Sequence, residues 1–246
     1  MADPTATKKV SKTESGHAKN VANFGALVTA VESLGKNYQP TAISLALKNL
    51  KTTKISIAKA LADVAACEVP YRSSVNKRQA AFEGMSKLAT RVINSLAAVG
   101  SDKEIKDARS LAKKVQGGGK LKAEDPAVAA KRKSTSQMSY DNRINNFKAL
   151  VSYLSGVPAY KPNEKDLQVI ALNKYLDSLP MLGEDINNFA DELAKARINR
   201  DKMLYAANTG AVDIGLRVKK YVKSVYGAAS PEFKRISRIE LRKQKS

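Results

Sequence analysis

A chain of 246 residues with 43% apolar side chains can bury one large core or two of roughly 120 residues each. It has no Trp and only five Phe, so Ala, Leu and Val fill that core, and small aliphatics with this much Lys favour helices. One Cys and one His exclude an intramolecular disulfide and the usual three- and four-ligand zinc sites. The 43 basic side chains against 23 acidic ones leave +20, a field that attracts polyanions and says nothing about fold.

The elements read as follows in chain order. A basic, flexible arm is expected over 1–17, with Lys8, Lys9 and Lys12. Val21, Phe24, Leu27, Val28, Val31 and Leu34 recur in steps of three and four, which predicts a first helix over about 18–35. Gly35 to Pro40 make a turn, and Thr41 is placed to cap a second helix running to about Cys67. Pro70 fits the first turn of a third helix carrying Val75, Phe82, Met85, Leu88 and Val92. Ser101, three residues before Glu104, is the pattern of a capping box for a fourth helix, which Gly117-Gly118-Gly119 ends. Beyond it, helices are expected over about 141–156, 163–179, 182–208, 210–226 and 231–242. Pro180 and Gly183 punctuate the middle, and Asn208-Thr209-Gly210 breaks the chain. Ser230-Pro231-Glu232 supplies a cap, a first-turn proline and an acidic first turn.

The two halves repeat one another. At an offset of 123, Val21 matches Ile144, Phe24 matches Phe147, and Leu27-Val28 matches Leu150-Val151; Asn23 and Asn146 precede the two Phe. At an offset of 122, Tyr38-Gln39-Pro40 matches Tyr160-Lys161-Pro162. Drifting offsets are what duplication followed by loop insertion leaves. The fold expected is all-α: two tandem, mutually related up-and-down bundles of about four helices each. They would occupy 18–116 and 140–246, joined by a basic, glycine-containing linker over 117–139.

No catalytic, cofactor or metal site is expected. His17 sits in a polar stretch beside Gly16 and reads as solvated, and Cys67, among Ala and Val, reads as a small buried hydrophobe. The carboxylate pairs Glu124-Asp125, Glu184-Asp185 and Asp191-Glu192 read as surface charge. Gly117-Gly118-Gly119-Lys120 lacks both the spacing of a phosphate loop and a preceding strand. Asn23, Asn76, Asn146 and Asn199 read as inward amides fixing helix register, as surface residues, or as part of a ligand-facing site.

The basic residues carry the functional expectation. The excess is +8 over residues 1–100, +5 over 101–139 and +7 over 140–246, so it is not a tail effect. Lys113, Lys114, Lys120, Lys122, Lys131, Arg132 and Lys133 form one cluster around the linker. Arg217, Lys219, Lys220 and Lys223 form a second. Lys234, Arg235, Arg238, Arg242, Lys243 and Lys245 form a third. Lysine dominates, which suits point-charge contact with phosphates rather than base reading. The expectation is a non-enzymatic protein that binds a DNA or RNA backbone, or a nucleoprotein particle, without sequence preference. The alternative is a scaffold, with a homo-oligomer as one form, assembling through apolar helix faces such as that of Tyr221 and Val225. No transmembrane segment is expected, since no run of about 18 apolar residues exists. With no apolar stretch near the start to act as a secretory signal, the cytoplasm is the default compartment.

Val218-Lys219-Lys220-Tyr221-Val222-Lys223-Ser224-Val225-Tyr226-Gly227 followed by Ser230-Pro231-Glu232-Phe233-Lys234 resembles the tail of uncharacterised, internally duplicated basic helical proteins of Bacteroidetes-type bacteria. Asn146-Phe147-Lys148-Ala149-Leu150 and Tyr160-Lys161-Pro162-Asn163 are similar to the opening of their second copy. The resemblance implies a duplicated helical architecture and no particular activity.

Overall fold

The computed structural model of the chain describes residues 12–117 and 139–243, with side chains from Gly16 onward. Its regular structure among these is all helical. The α-helices are α1 (Lys12–Glu32), α2 (Leu47–Ala97), α3 (Asp102–Gln116), α4 (Tyr140–Ser155), α5 (Val169–Tyr205), α6 (Ala211–Tyr226) and α7 (Pro231–Ser237). No described helix is long and apolar enough to cross a membrane.

Several local signals act as the residues dictate. Ser101 accepts from the Glu104 amide while the Glu104 carboxylate accepts from the Ser101 amide, closing a capping box. Gly117 ends α3 at φ 78°, a backbone state that costs glycine little. Ser230 caps α7 through the Phe233 amide, with Pro231 in the first turn. The chain breaks between Tyr205 and Ala211, with Asn208 at φ 65°.

Two expected breaks are absent. The second and third helices merge into the 51-residue α2 with Pro70 inside it, and α5 runs for 37 residues through Pro180. A mid-helix proline forfeits one hydrogen bond and costs about 3 kcal/mol. What outweighs it is a burial rhythm that never changes phase. In α5 the buried Leu172, Leu176, Leu179, Ile186 and Leu193 keep steps of three, four or seven across Pro180. A break would rotate the later residues away from the side on which the earlier ones are buried.

Helix starts also differ from expectation. Thr41 is not a cap. Tyr38 and Tyr160 each lay a buried ring across the turn that follows and donate their hydroxyl to Leu45 O and Leu167 O, each at 2.8 Å. Each accepting leucine ends a single 3-10 turn, Ile43–Leu45 and Lys165–Leu167, and the long helices begin only at Leu47 and Val169. Burial holds both phenols protonated, Tyr38 far above its ordinary range and Tyr160 up to about 12, so each remains a donor.

The contacts divide the chain into two compact units, Met1–Pro70 with Phe189–Ser246 and Tyr71–Asn188. These do not follow the expected boundaries at 18–116 and 140–246. In the first unit, Phe24, Leu27 and Val31 of α1 share a core with Leu50 and Ile57 of α2, Leu204 of α5, Val218 and Val222 of α6, and Ile236 of α7. In the second, Phe82, Met85 and Leu96 of α2 share a core with Val115 of α3, Phe147 and Leu150 of α4, and Leu172 and Leu179 of α5. Each unit therefore joins the opening of one half to the close of the other, and α2 and α5 each contribute residues to both.

Candidate nucleic-acid interface

Basic side chains in the first unit turn out to be partly structural. Lys219 donates to the carbonyls of Ser237 and Ile239 at the end of α7, and burial lowers its ammonium pKa. Arg235 donates to Ala30 O at 2.8 Å and to Ser33 Oγ at the end of α1. Both cations sit where helix carbonyls lack partners and the dipole favours positive charge. Arg217 reaches Asn208 O at 3.4 Å, Arg242 pairs with Glu240 at 2.7 Å, and Lys243 pairs with Asp213 at 3.0 Å. Bonding from the Asn208 amide, and then from Lys243, holds the Asp213 carboxyl below its usual range. Lys223 lies 5.9 Å from the Phe233 ring centre. Lys220, Lys234 and Arg238 remain exposed without an ion pair to a described residue. Lys120, Lys122, Lys131, Arg132, Lys133 and Lys245, with Glu124, Asp125, Gly118 and Gly119, lie outside the described residues.

The second unit adds cations that adjacency in sequence does not flag. Lys113 and Lys114 are exposed on the last turn of α3. Lys106 and Arg109 join Lys113 along a groove of 490 Å³. The signal was present as Lys106-x-x-Arg109-x-x-x-Lys113, one helix face, but it is diluted by the acidic Asp102, Glu104 and Asp107 in the same stretch.

His17 is not solvated. It lies inside α1 at 1% exposure, its Nδ1 2.8 Å from the Tyr205 hydroxyl and 3.9 Å from Asp201. The first turns of α1 thus occupy part of the expected flexible arm. Asn20 donates to Arg242 O at 2.9 Å and accepts from the Arg242 amide at 3.0 Å, while Asn23 donates to Glu240 O at 2.6 Å. In the second unit Asn146 donates to Lys114 O at 3.4 Å. Asn23 and Asn146 therefore each hold backbone at the close of the other half, whereas Asn76 and Asn199 are exposed. Arg143 of α4 does similar work, donating to Val115 O at 3.2 Å, to Ser86 Oγ at 3.0 Å and to Phe82 O.

A different surface is apolar. On α2, Ile55 and Val69 are each 69% exposed, and between them Ala58, Ala62 and Ala65 are exposed at steps of three and four. This row lies opposite the buried Ile57, Ala60 and Val64, so the helix is apolar on two sides. Tyr221, by contrast, packs edge-on against Tyr38 at 5.3 Å and lies half-buried against the core, while Val225 is 48% exposed. Cys67 is half-buried and the carboxylates of Glu184, Asp185, Asp191 and Glu192 are exposed. Among the described residues no three His, Cys, Asp or Glu are grouped to hold a metal ion. No family model, curated protein or solved structure matches the chain.

Proposed function

We propose that the chain is a non-enzymatic, internally duplicated helical scaffold that assembles with a second copy of itself through an apolar helix face. The observation that carries this is the second apolar side of α2, from Ile55 to Val69, left in water while the opposite side is buried. A helix serving only its own core needs one such side. Duplication is supported by the paired roles of Tyr38 with Tyr160, Phe24 with Phe147 and Asn23 with Asn146. Sedimentation at high salt, where the +20 charge is screened, tests the assembly. The expected result is an oligomer that I55E/V69E dissolves without loss of helical circular dichroism. A wild-type chain that stays monomeric at every accessible concentration rejects it.

A second reading is contact with a nucleic-acid backbone. It is favoured by exposed cations without an ion pair among the described residues, Lys106, Arg109 and Lys113 in one unit and Lys220, Lys234 and Arg238 in the other. Titration of mixed-sequence DNA and RNA at about 50 mM and about 200 mM salt tests it, because phosphate contact weakens steeply over that range. No binding to either polymer at the lower salt ends this reading.

A further inference from the structure

We infer that the outer groove of α3 is where a nucleic-acid backbone docks on this protein, with successive phosphates meeting Lys106, Arg109 and Lys113; the inference rests on the second reading above. The three cations stand at i, i+3 and i+7, within about 60° of one another around the helix and over about 10 Å along it. Three successive phosphates of one strand span two steps, about 7 Å of duplex axis at 3.4 Å each, which the row covers. A protein that used these charges internally would pair them, as the first unit pairs Arg242 and Lys243. Here two of the neighbouring carboxylates are engaged elsewhere, while Asp102 shares the groove. Glu104 closes the capping box with Ser101, which holds it below the usual carboxylate range. Asp107 faces the Tyr153 hydroxyl, raising the phenol pKa after burial has done so.

The groove has further features that suit a strand rather than a lone ion. Ser110 lies between the cations and offers a hydroxyl donor, and Ile105 with Ala97 supplies an apolar floor for a sugar or base edge. Asp102 lines the N-terminal end of the same groove and repels phosphate there, so the contact is confined to the turns from Lys106 onward. Lys103 and Lys114 are exposed on the adjoining face and add to the local field. Each phosphate contact is a charge contact open to solvent, so binding is sequence-tolerant and salt-dependent.

The test uses the full chain and two triple variants of equal charge, K106Q/R109Q/K113Q on α3 and K220Q/K234Q/R238Q on α6 and α7. Fluorescence anisotropy with mixed-sequence duplex DNA, RNA and polyglutamate gives log K against log salt, with circular dichroism confirming that each variant folds. Removing three phosphate contacts lowers the slope for duplex DNA by about 2.7, which shrinks the affinity lost between about 50 and about 200 mM salt by roughly 40-fold. The α6 and α7 variant is expected to change the slope by less than about one contact's worth. A wild-type slope for the α3 variant, with DNA still bound, overturns the assignment and leaves the second reading standing. Absence of DNA and RNA binding by the wild type defeats both. Polyglutamate binding as tightly as nucleic acid and equally weakened by the α3 substitutions overturns the nucleic-acid partner in favour of an acidic protein.

Discussion

Replacing Tyr160 by Phe removes one oxygen from a site otherwise unchanged in shape. That hydroxyl donates to Leu167 O at 2.8 Å, and both side chains are almost fully buried, 5% and 4% exposed. The bond itself is worth about 1 kcal/mol net, and the carbonyl left in an apolar pocket adds part of an unsatisfied-group cost of about 1–3 kcal/mol. A loss of about 1.5–3 kcal/mol is therefore expected, against less than about 0.5 kcal/mol for a surface change. Urea unfolding followed by circular dichroism measures it. The pH dependence gives an independent check. Burial raises the folded phenol from 10.0 to about 12, so the folded state holds a proton that the unfolded state releases first. This contribution to wild-type stability is complete below about pH 10 and is lost as pH rises towards about 12, and the Phe variant lacks that component. If Y160F unfolds within about 0.5 kcal/mol of wild type and keeps the same alkaline decline, the turn is not held by this bond.

Replacing Pro180 by Ala restores an amide at a helix position with Leu176 O in reach, and should stabilise the protein by about 1–3 kcal/mol in the same unfolding assay. Phe24→Ala and Phe147→Ala empty fully buried sites in the two cores and should each cost about 3–5 kcal/mol, read as lowered Tm. Arg143→Met leaves the Val115 and Phe82 carbonyls short of a charged donor and should cost about 1.5–3 kcal/mol. Cleavage at a protease site introduced between residues 118 and 138 should leave two fragments that co-elute, because each compact unit contains residues from both sides of the cut.

Caps and turns were legible in the sequence because their chemistry is local. Ser101 with Glu104, Gly117, and Ser230 with Pro231 each settle their backbone within a few residues. Phe24 and Phe147 were legible as core because they recur with their neighbours in helical steps. Pro70 and Pro180 misled because a proline's local cost is visible in sequence, whereas the packed side chains on either side that outweigh it are not. His17 is polar by composition, and its burial rests on partners far along the chain, Tyr205 and Asp201 among them. The α3 row is hidden in the sequence because its cations are not adjacent letters: Lys106, Arg109 and Lys113 meet only through the helical turn. The division into units was illegible for the same reason at larger scale: periodicity shows which residues are inward, not which half supplies their neighbours.

The sharing of α2 and α5 between the two units also sets an order in time. A ribosome releases α1 and the start of α2 more than a hundred residues before Phe189 exists, so the first unit stays open through much of synthesis. Residues 71–188 form an uninterrupted stretch and can close as soon as they emerge. The apolar faces of α1 must wait for the last helices, and during that wait they are the part of the nascent protein most exposed to chaperones and to wrong neighbours.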